Sequence, residues 1–335
     1  MLLALVLGLC AAGPALVGVP PAKAVTALLT GAFGQPGNMK ETMFAWTGTL
    51  VRACPIVLTG LSVSWAFRAG LFNIGAEGQL LWGALAAAWF GAAAPLPPAI
   101  HLPLTLAIGA LAGALWAWPA ALLKQRRGAP EVVTTLLLSL VAEHLTTFLA
   151  NHPLHDPTQQ GPRTADMLSS SFLPTIGGSR LHAGILISVL FILLADLALR
   201  RSRLGFALRV VGLNPSAGKS VGLNVGRSWS SALITSGALA GLAGAVEVSG
   251  VHHYFLAHFS PGYGYEGIAV AVLGGSSPWG VLLAGLFWGG LANGAVELEL
   301  SAGVSRHLVG MIQALVILLV AVKRWPDLRP RRRAA

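Results

Sequence analysis

One stretch of the sequence, Ile100–Leu123, reads Ile-His-Leu-Pro-Leu-Thr-Leu-Ala-Ile-Gly-Ala-Leu-Ala-Gly-Ala-Leu-Trp-Ala-Trp-Pro-Ala-Ala-Leu-Leu and contains no Asp, Glu, Lys or Arg. A hydrocarbon core about 30 Å thick is crossed by roughly 20 apolar residues in an α-helix. Comparable runs occur at Glu131–Ala150, Ala183–Leu199 and Arg306–Val322. Helices are expected because lipid offers the backbone no hydrogen-bond partner. The fold class predicted from these runs is an all-α polytopic membrane protein.

The composition agrees with this class. Of the 335 residues, 55% are hydrophobic and only 10% charged, whereas a soluble domain carries about 25% charged residues. The net charge of +10 is explained by the Lys and Arg that collect in cytoplasmic loops, so no nucleic-acid partner is expected. Cys10 and Cys54 lie in apolar stretches with no disulfide or metal spacing. Met1–Val19 lacks the basic region of a signal peptide and is predicted to be the first membrane helix.

The apolar runs divide the chain into about ten membrane segments. The eighth is too short to span a bilayer and is predicted to be a half-helix, which is tolerated where protein or a cavity surrounds it. The predicted segments cover residues 2–20, 49–68, 71–91, 100–123, 131–150, 183–199, 229–250, 265–274, 279–296 and 306–322.

The positions of the basic residues predict the orientation. Most of the 22 Lys and Arg residues fall on one side, chiefly in the stretch Arg200–Arg227 and in the C-terminal tail. Because cytoplasmic loops are rich in Lys and Arg, both termini are predicted to be cytoplasmic. Residues 1–335 are predicted to form a single transmembrane domain, with a long inner loop at about 200–228 and a polar outer loop at about 151–182.

Two short segments resemble each other and indicate a possible inverted repeat. Gly75-Ala76-Glu77-Gly78 opens the third membrane segment, and Gly264-Tyr265-Glu266-Gly267 opens the eighth from the opposite face. Related elements that enter from opposite sides are typical of transporters with inverted repeats.

Several polar residues within the membrane segments are candidates for the translocation pathway, because buried ionisable groups in lipid are costly. Glu77 could pair with Arg68 and lock a turn, or could serve as a gate or a substrate contact. The aromatic turn that begins at His252-His253-Tyr254-Phe255 could be an interfacial belt or a stacking mouth for a base or sugar ring. The candidates are Asn73, Glu77, Glu143, Glu247, Tyr263, Tyr265, Glu266 and Asn293.

The segment Phe67–Leu81 carries the most specific motif, Phe-Arg-Ala-Gly-Leu-Phe-Asn-Ile-Gly-Ala-Glu-Gly-Gln-Leu-Leu. It resembles the signature of the permease subunits of bacterial nucleoside and simple-sugar ABC importers, within the ribose and branched-chain amino acid permease superfamily. The resemblance extends over Arg209–Val225 and Gly262–Gly285. It implies a multi-pass protein of the bacterial cytoplasmic (inner) membrane. Its implied partners are a cytoplasmic ATPase subunit, an identical or related second permease and an extracytoplasmic substrate-binding lipoprotein.

The inner loop contains a motif similar to the coupling helix of importer permeases, which docks into the ATPase. Asn214 and Pro215 are predicted to cap and start a short helix. The small residues Ser216, Ala217, Gly218 and Gly222 would fit a groove of the partner. The stretch Gly212–Ser220 has the wrong glycine spacing for a phosphate-binding loop. The chain is therefore expected to bind no cofactor, and ATP and Mg²⁺ belong to the partner ATPase.

Two other functions compete with the permease. A proton-coupled secondary transporter of small polar solutes would use the buried carboxylates Glu77, Glu143 and Glu247 as a relay. A membrane-embedded enzyme lacks support, because the sequence shows no metal cluster and no pairing of nucleophile and base. The sequence thus favours a non-enzymatic permease subunit without catalytic or metal-binding residues. The resemblance implies a nucleoside or simple sugar, delivered by a binding protein, as the cargo, and the sequence does not fix the compound.

Overall fold

A computed structural model describes residues 18–305 together with residues 14, 308–311 and 314. Most of the predicted segment 2–20, the last segment 306–322 and the basic tail lie outside these residues, so the location of both termini stays a prediction. The helices that we number are α1 (Pro21–Phe33), α2 (Met39–Arg68), α3 (Ala76–Ala93), α4 (Pro98–Arg127), α5 (Glu131–Asn151), α6 (Gly184–Arg201), α7 (Arg203–Leu213), α8 (Pro215–Ser220), α9 (Val225–Glu247), α10 (Tyr263–Leu273) and α11 (Pro278–Ala302).

Five helices of the described chain are long and apolar enough to cross a membrane, which confirms the all-α membrane class. They are α2, α4, α5, α9 with the π-helical turn that continues it to His252, and α11. Helix α10 has only 11 residues, as expected for the short eighth segment. The predicted number of about ten spans is not established by these helices.

The starts of two helices differ most from the sequence prediction. Helix α2 begins at Met39 rather than at residue 49, and helix α1 was not predicted at all. Helix α3 begins at Ala76 rather than at residue 71, because Gly70 takes a left-handed conformation with φ of 73° that ends the preceding helix. Residues 69–75 therefore form a non-helical segment between α2 and α3, which we call the α2–α3 segment.

Helices α4 and α9 pack through small residues at four-residue spacing. A β-carbon on Gly113 would lie 2.3 Å from the carbonyl oxygen of Gly237, and one on Gly241 would lie 2.3 Å from that of Gly109. Such distances leave room only for hydrogen. In lipid there is little hydrophobic driving force between helices, so the van der Waals contact of closely approaching backbones provides the packing energy.

The chain divides into two compact units, which share the long helices α2 and α11. One consists of Met1–Arg52 and Phe287–Ala335, and the other of Ala53–Leu286. In the first unit, Leu28 of α1 packs with Leu291 and Leu298 of α11 in a buried apolar cluster. The second unit contains the residues of the candidate site described below. The expectation of a single domain over residues 1–335 stays a prediction.

The loop that follows α5 pairs with the chain after α9. The amides of Thr164, Met167 and Leu173 donate to the carbonyl oxygens of Phe255, His253 and Ser249, respectively. These bonds satisfy backbone groups of both stretches at once, so residues 152–182 and 249–257 form one joined structure, which we call the paired loops.

A buried imidazole lies at the base of the paired loops. His182 is fully buried, and its Nδ1 accepts a hydrogen bond of 3.1 Å from the amide of Gly184. Its ring contacts Gly250, where a β-carbon would lie 2.7 Å from the ring. Burial, followed by the neighbouring His253, lowers the pKa of His182 to about 4, so this ring is neutral at physiological pH.

Candidate functional site

The α2–α3 segment leads to Glu77, which lies in the protein interior. The Asn73 side chain accepts from the amide of Gly75 and donates to Gln79, which fixes the turn that precedes α3. Glu77 then stands in the first turn of α3 with 8% of its surface exposed. The spacing of Asn73 and Glu77 would place them on one face of a helix, but only Glu77 is helical.

The N-terminus of α10 meets Glu77 directly. The amide of Gly264 donates to Glu77 Oε2 over 2.6 Å, and a β-carbon on Gly264 would lie 2.2 Å from the amide nitrogen of Glu77. The Thr59 hydroxyl of α2 donates to the carbonyl of Tyr263 over 2.9 Å and holds the same turn. The first turns of two helices thus converge on one carboxyl group, where the helix dipoles favour negative charge and burial opposes it.

This geometry excludes one of the two roles predicted for Glu77, the pairing with Arg68. The pairing of Glu77 with Arg68 is wrong, because the carboxylate is bound by the amide of Gly264, on a helix 187 residues away in the sequence. The two similar Gly-rich segments that begin α3 and α10 are in contact here. Their relation as an inverted repeat stays a prediction.

A polar cavity of about 220 Å³ lies beside this junction. His258 Nδ1 stands 3.3 Å from Glu143 Oε1, so these two groups form an ion pair when the imidazole is protonated. The remaining wall offers hydroxyl groups and the ring of Tyr265. The cavity is lined by Glu77, Leu81, Glu143, Thr146, Thr147, His258, Ser260, Pro261, Gly262 and Tyr265. Carboxylates, hydroxyls and an aromatic ring in one small space suit a solute with several hydroxyl groups and a flat ring.

Three of the eight predicted pathway residues line this cavity, namely Glu77, Glu143 and Tyr265. Thr146 and Thr147 were not predicted. Their position three and four residues after Glu143 places them on the same helical face, a signal that was present in the sequence. The role of each residue in transport stays a prediction.

The other predicted pathway residues lie elsewhere in the second unit or in the first. Tyr263 is buried, and its hydroxyl stands 3.4 Å from Glu247 Oε1, so these two residues lie together within the bundle. Asn293 of the first unit donates to the carbonyls of Gly31 and Ala45 and holds helices together. Asn73 belongs to the turn before α3, and half-buried Glu266 is not part of the cavity wall.

The aromatic turn after α9 is divided between two environments. The ring of His253 stacks on Phe172 at 3.7 Å, and the guanidinium of Arg163 lies over the ring of Tyr254 at 3.6 Å. These rings hold the paired loops together. Of the aromatic and histidine residues of this turn, His258 and Tyr265 are the ones that line the cavity, and both the stacking mouth and the interfacial belt stay predictions.

The loop between α6 and α9 folds into the two short helices α7 and α8, as predicted. Asn214 Oδ1 accepts from the amides of Ser216 and Ala217, and Pro215 occupies the first position of α8, which confirms the predicted cap. Gly218 is buried against Val211 of α7, so its small size serves packing within the loop.

Two exposed apolar side chains flank α8 in the sequence, and sequence reasoning missed them. Leu213 is 87% exposed and Val221 is 64% exposed, on either side of the exposed residues Ser216 and Ala217. Gly222 follows with φ of 80°, and a β-carbon there would meet no heavy atom within 4 Å. We call these five residues the α8 face.

No group of three or more His, Cys, Asp or Glu residues that could hold a metal ion occurs among the residues that the structure describes. Polar cavities within bundles of membrane-length helices are typical of membrane transport proteins, and the comparison with known proteins agrees with this class. The family described as "Branched-chain amino acid transport system / permease component" matches residues 46–321, and the chain belongs to this family.

Three relatives of this chain are named as ABC transporter permease proteins. It is 39% identical to the guanosine ABC transporter permease protein NupP of Bacillus subtilis, over 96% of this chain and 92% of that protein. It is 37% identical to the glucose ABC transporter permease protein TsgB13 of Haloferax volcanii, over 85% and 78% of the two chains. It is 32% identical to the nucleoside ABC transporter permease protein NupB of Lactococcus lactis, over 82% and 78%.

The chain is therefore the permease subunit of an ATP-binding-cassette transporter in the cytoplasmic membrane. It is not an enzyme, since the ATPase of such a transporter is a separate subunit. The family relationship excludes the secondary transporter and the membrane-embedded enzyme that the sequence alone had left as alternatives.

Proposed function

We propose that this permease carries a purine nucleoside or a related ribose-containing solute through the polar cavity at Glu77. The observation that carries the proposal is the meeting of two carboxylates, several hydroxyl groups and Tyr265 around 220 Å³. Carboxylates accept hydrogen bonds from the hydroxyls of a sugar, and an aromatic ring stacks on a base. Two of the three relatives above are named for guanosine or nucleosides, which supports the same class of cargo.

Uptake by cells that express the complete transporter tests the cargo. We expect saturable uptake of a radiolabelled purine nucleoside that unlabelled nucleosides compete. Replacing Tyr265 by alanine should raise the KM for uptake at least about fivefold, because a stacked ring contributes about 1–3 kcal/mol. Tyr254→Ala is the matched control, since Tyr254 packs under Arg163 outside the cavity. Competition by leucine, and by no nucleoside or sugar, would assign the protein to amino acid transport instead.

The α8 face is proposed as the docking site of the cytoplasmic ATPase subunit. The capped helix is short and rigid, and its exposed Leu213 and Val221 offer apolar area that association would bury. A second permease subunit and an extracytoplasmic binding lipoprotein complete the proposed transporter. The asparagine cap and exposed apolar residues support a docking role over that of a plain connection.

The proposed orientation places the α8 face in the cytoplasm and the paired loops outside. Reporter fusions after Ser216 should show a cytoplasmic signal, and fusions after Asp156 an external one. An external signal from the Ser216 fusion would refute this orientation and the ATPase docking together. A third fusion, after Leu328, should again report the cytoplasm.

A further inference from the structure

Helix α7 is in direct backbone contact with the start of the α2–α3 segment. A β-carbon on Gly212, near the end of α7, would lie 2.2 Å from the carbonyl oxygen of Arg68 and 3.0 Å from the amide of Gly70. On the other side of this contact, a β-carbon on Gly70 would lie 3.2 Å from the carbonyl oxygen of Gly212. Because no side chain lies between the two backbones, a displacement of α7 moves the α2–α3 segment directly, with no flexible side chain to absorb the motion.

The α2–α3 segment is also fastened along one face of α5. The amide of Phe72 donates to Glu131 Oε1 over 3.4 Å, and the amide of Ile74 donates to the Thr135 hydroxyl over 3.2 Å. Ser139 contacts both sides of the turn, because its hydroxyl donates to the carbonyl of Ile74 and accepts from the amide of Gly78. Residues 131, 135 and 139 are spaced by four and lie on the same helical face.

The same row of residues spaced by four continues to the cavity, winding around α5 by about 40° per step. Four residues after Ser139 comes Glu143, and four further comes Thr147, both of which line the cavity. The other end of the α2–α3 segment leads within one residue into Glu77, which holds the N-terminus of α10. One polar row on α5 therefore contacts first the α2–α3 segment, which touches α7, and then lines the cavity beside the N-terminus of α10.

We propose that Thr135 and Ser139 are positioning residues for transport, which keep the α2–α3 segment in register with α5 so that a movement of α7 shifts Glu77 and α10. This proposal rests on the proposed docking of the ATPase at the α8 face. Both side chains are buried, with 1% and 2% of their surface exposed. The Thr135 hydroxyl accepts from an amide of the non-helical segment, which has no intrahelical partner. The Ser139 hydroxyl joins the carbonyl of Ile74 to the amide of Gly78 in the first turn of α3. Such a contiguous packed route between two sites is what mechanical coupling requires.

The experiment compares isosteric variants in the full transporter reconstituted into liposomes with its ATPase and binding protein. Thr135→Val removes the acceptor for the amide of Ile74 and keeps the shape of the side chain. Thr135→Ser keeps the hydroxyl. Thr134→Val is the matched control, because the Thr134 hydroxyl bonds only to carbonyls of its own helix and of Pro130 just before it. The readouts are nucleoside transported per ATP hydrolysed and the KM for uptake.

We expect Thr135→Val and Ser139→Ala to lower transport per ATP about five- to tenfold, as the loss of one buried hydrogen bond implies. ATP hydrolysis should continue, and Thr135→Ser and Thr134→Val should match the wild type. Unchanged transport per ATP in Thr135→Val and Ser139→Ala would overturn the proposal. If Thr135→Val does not reach the membrane, Ser139→Ala decides in the same way. A wild-type transporter that moves no nucleoside would instead refute the proposed function.

Discussion

Replacing Gly222 by leucine tests the docking role of the α8 face at a small internal cost. Gly222 has φ of 80°, a conformation that costs a residue with a β-carbon about 1–2 kcal/mol. A β-carbon at this position would meet no heavy atom of the chain within 4 Å, so no clash adds to that strain. The variant should therefore fold and insert with a modest loss of stability.

A second loss, separate from this strain, is expected at the docked interface. A leucine side chain forced between α8 and a groove of the ATPase overpacks the contact, which typically costs about 1–3 kcal/mol. This free energy corresponds to an approximately 5- to 150-fold weaker association. We expect transport and substrate-stimulated ATP hydrolysis to fall together, because both require the docked ATPase.

The matched control is Gly128→Leu at the end of α4. Gly128 has φ of 65°, is exposed and likewise has no heavy atom within 4 Å of a β-carbon, so leucine carries the same backbone strain there. The assay measures the amount of ATPase that copurifies with the permease, together with uptake at equal expression. Equal ATPase binding and uptake by Gly222→Leu and the wild type would refute the reasoning.

Three further outcomes are expected. Gly113→Ala should lower the apparent melting temperature, because its β-carbon would lie 2.3 Å from the Gly237 carbonyl oxygen. Gly290→Ala should not, since the nearest atoms to its β-carbon lie at 3.7 Å, and equal losses in the two variants would contradict the packing argument. The pKa of His182 falls from 6.5 to about 4 on folding, so the free energy of unfolding should fall by up to about 3 kcal/mol as the pH drops from 6.5 to 4, because protons bind the unfolded state. Thermal unfolding should show this pH dependence, and the His182→Gln variant should lack it. Asn214→Ala should destabilise α8 by about 1 kcal/mol, seen as faster amide exchange there, while Asn214→Asp should retain protection.

The sequence predicted the fold class and the local structure of the inner loop because those depend on neighbouring residues. Long apolar runs require membrane helices, and Asn214-Pro215 specifies a helix start through its own side chain and ring. The half-length of α10 followed in the same way from the length of its apolar run.

The cavity could be predicted only in part, because its walls come from residues distant in the sequence. Glu77 was identified as a candidate, yet its partner is the amide of Gly264, and a backbone amide carries no signal in a residue pattern. Asn293 was grouped with the pathway residues because it is polar within a membrane segment. Its hydrogen bonds to Gly31 and Ala45 show that a polar side chain in a bundle can serve packing as well as transport.

The paired loops have a consequence for chimeric transporters. Because backbone amides of residues 152–182 are satisfied by carbonyls of residues 249–257, these two stretches behave as one exchangeable cassette although they are far apart in the gene. Grafting either stretch alone from a relative would replace one member of each side-chain pair that joins them, such as Phe172 with His253 and Arg163 with Tyr254. An exchange of these loops between relatives should therefore succeed only when both stretches are exchanged together.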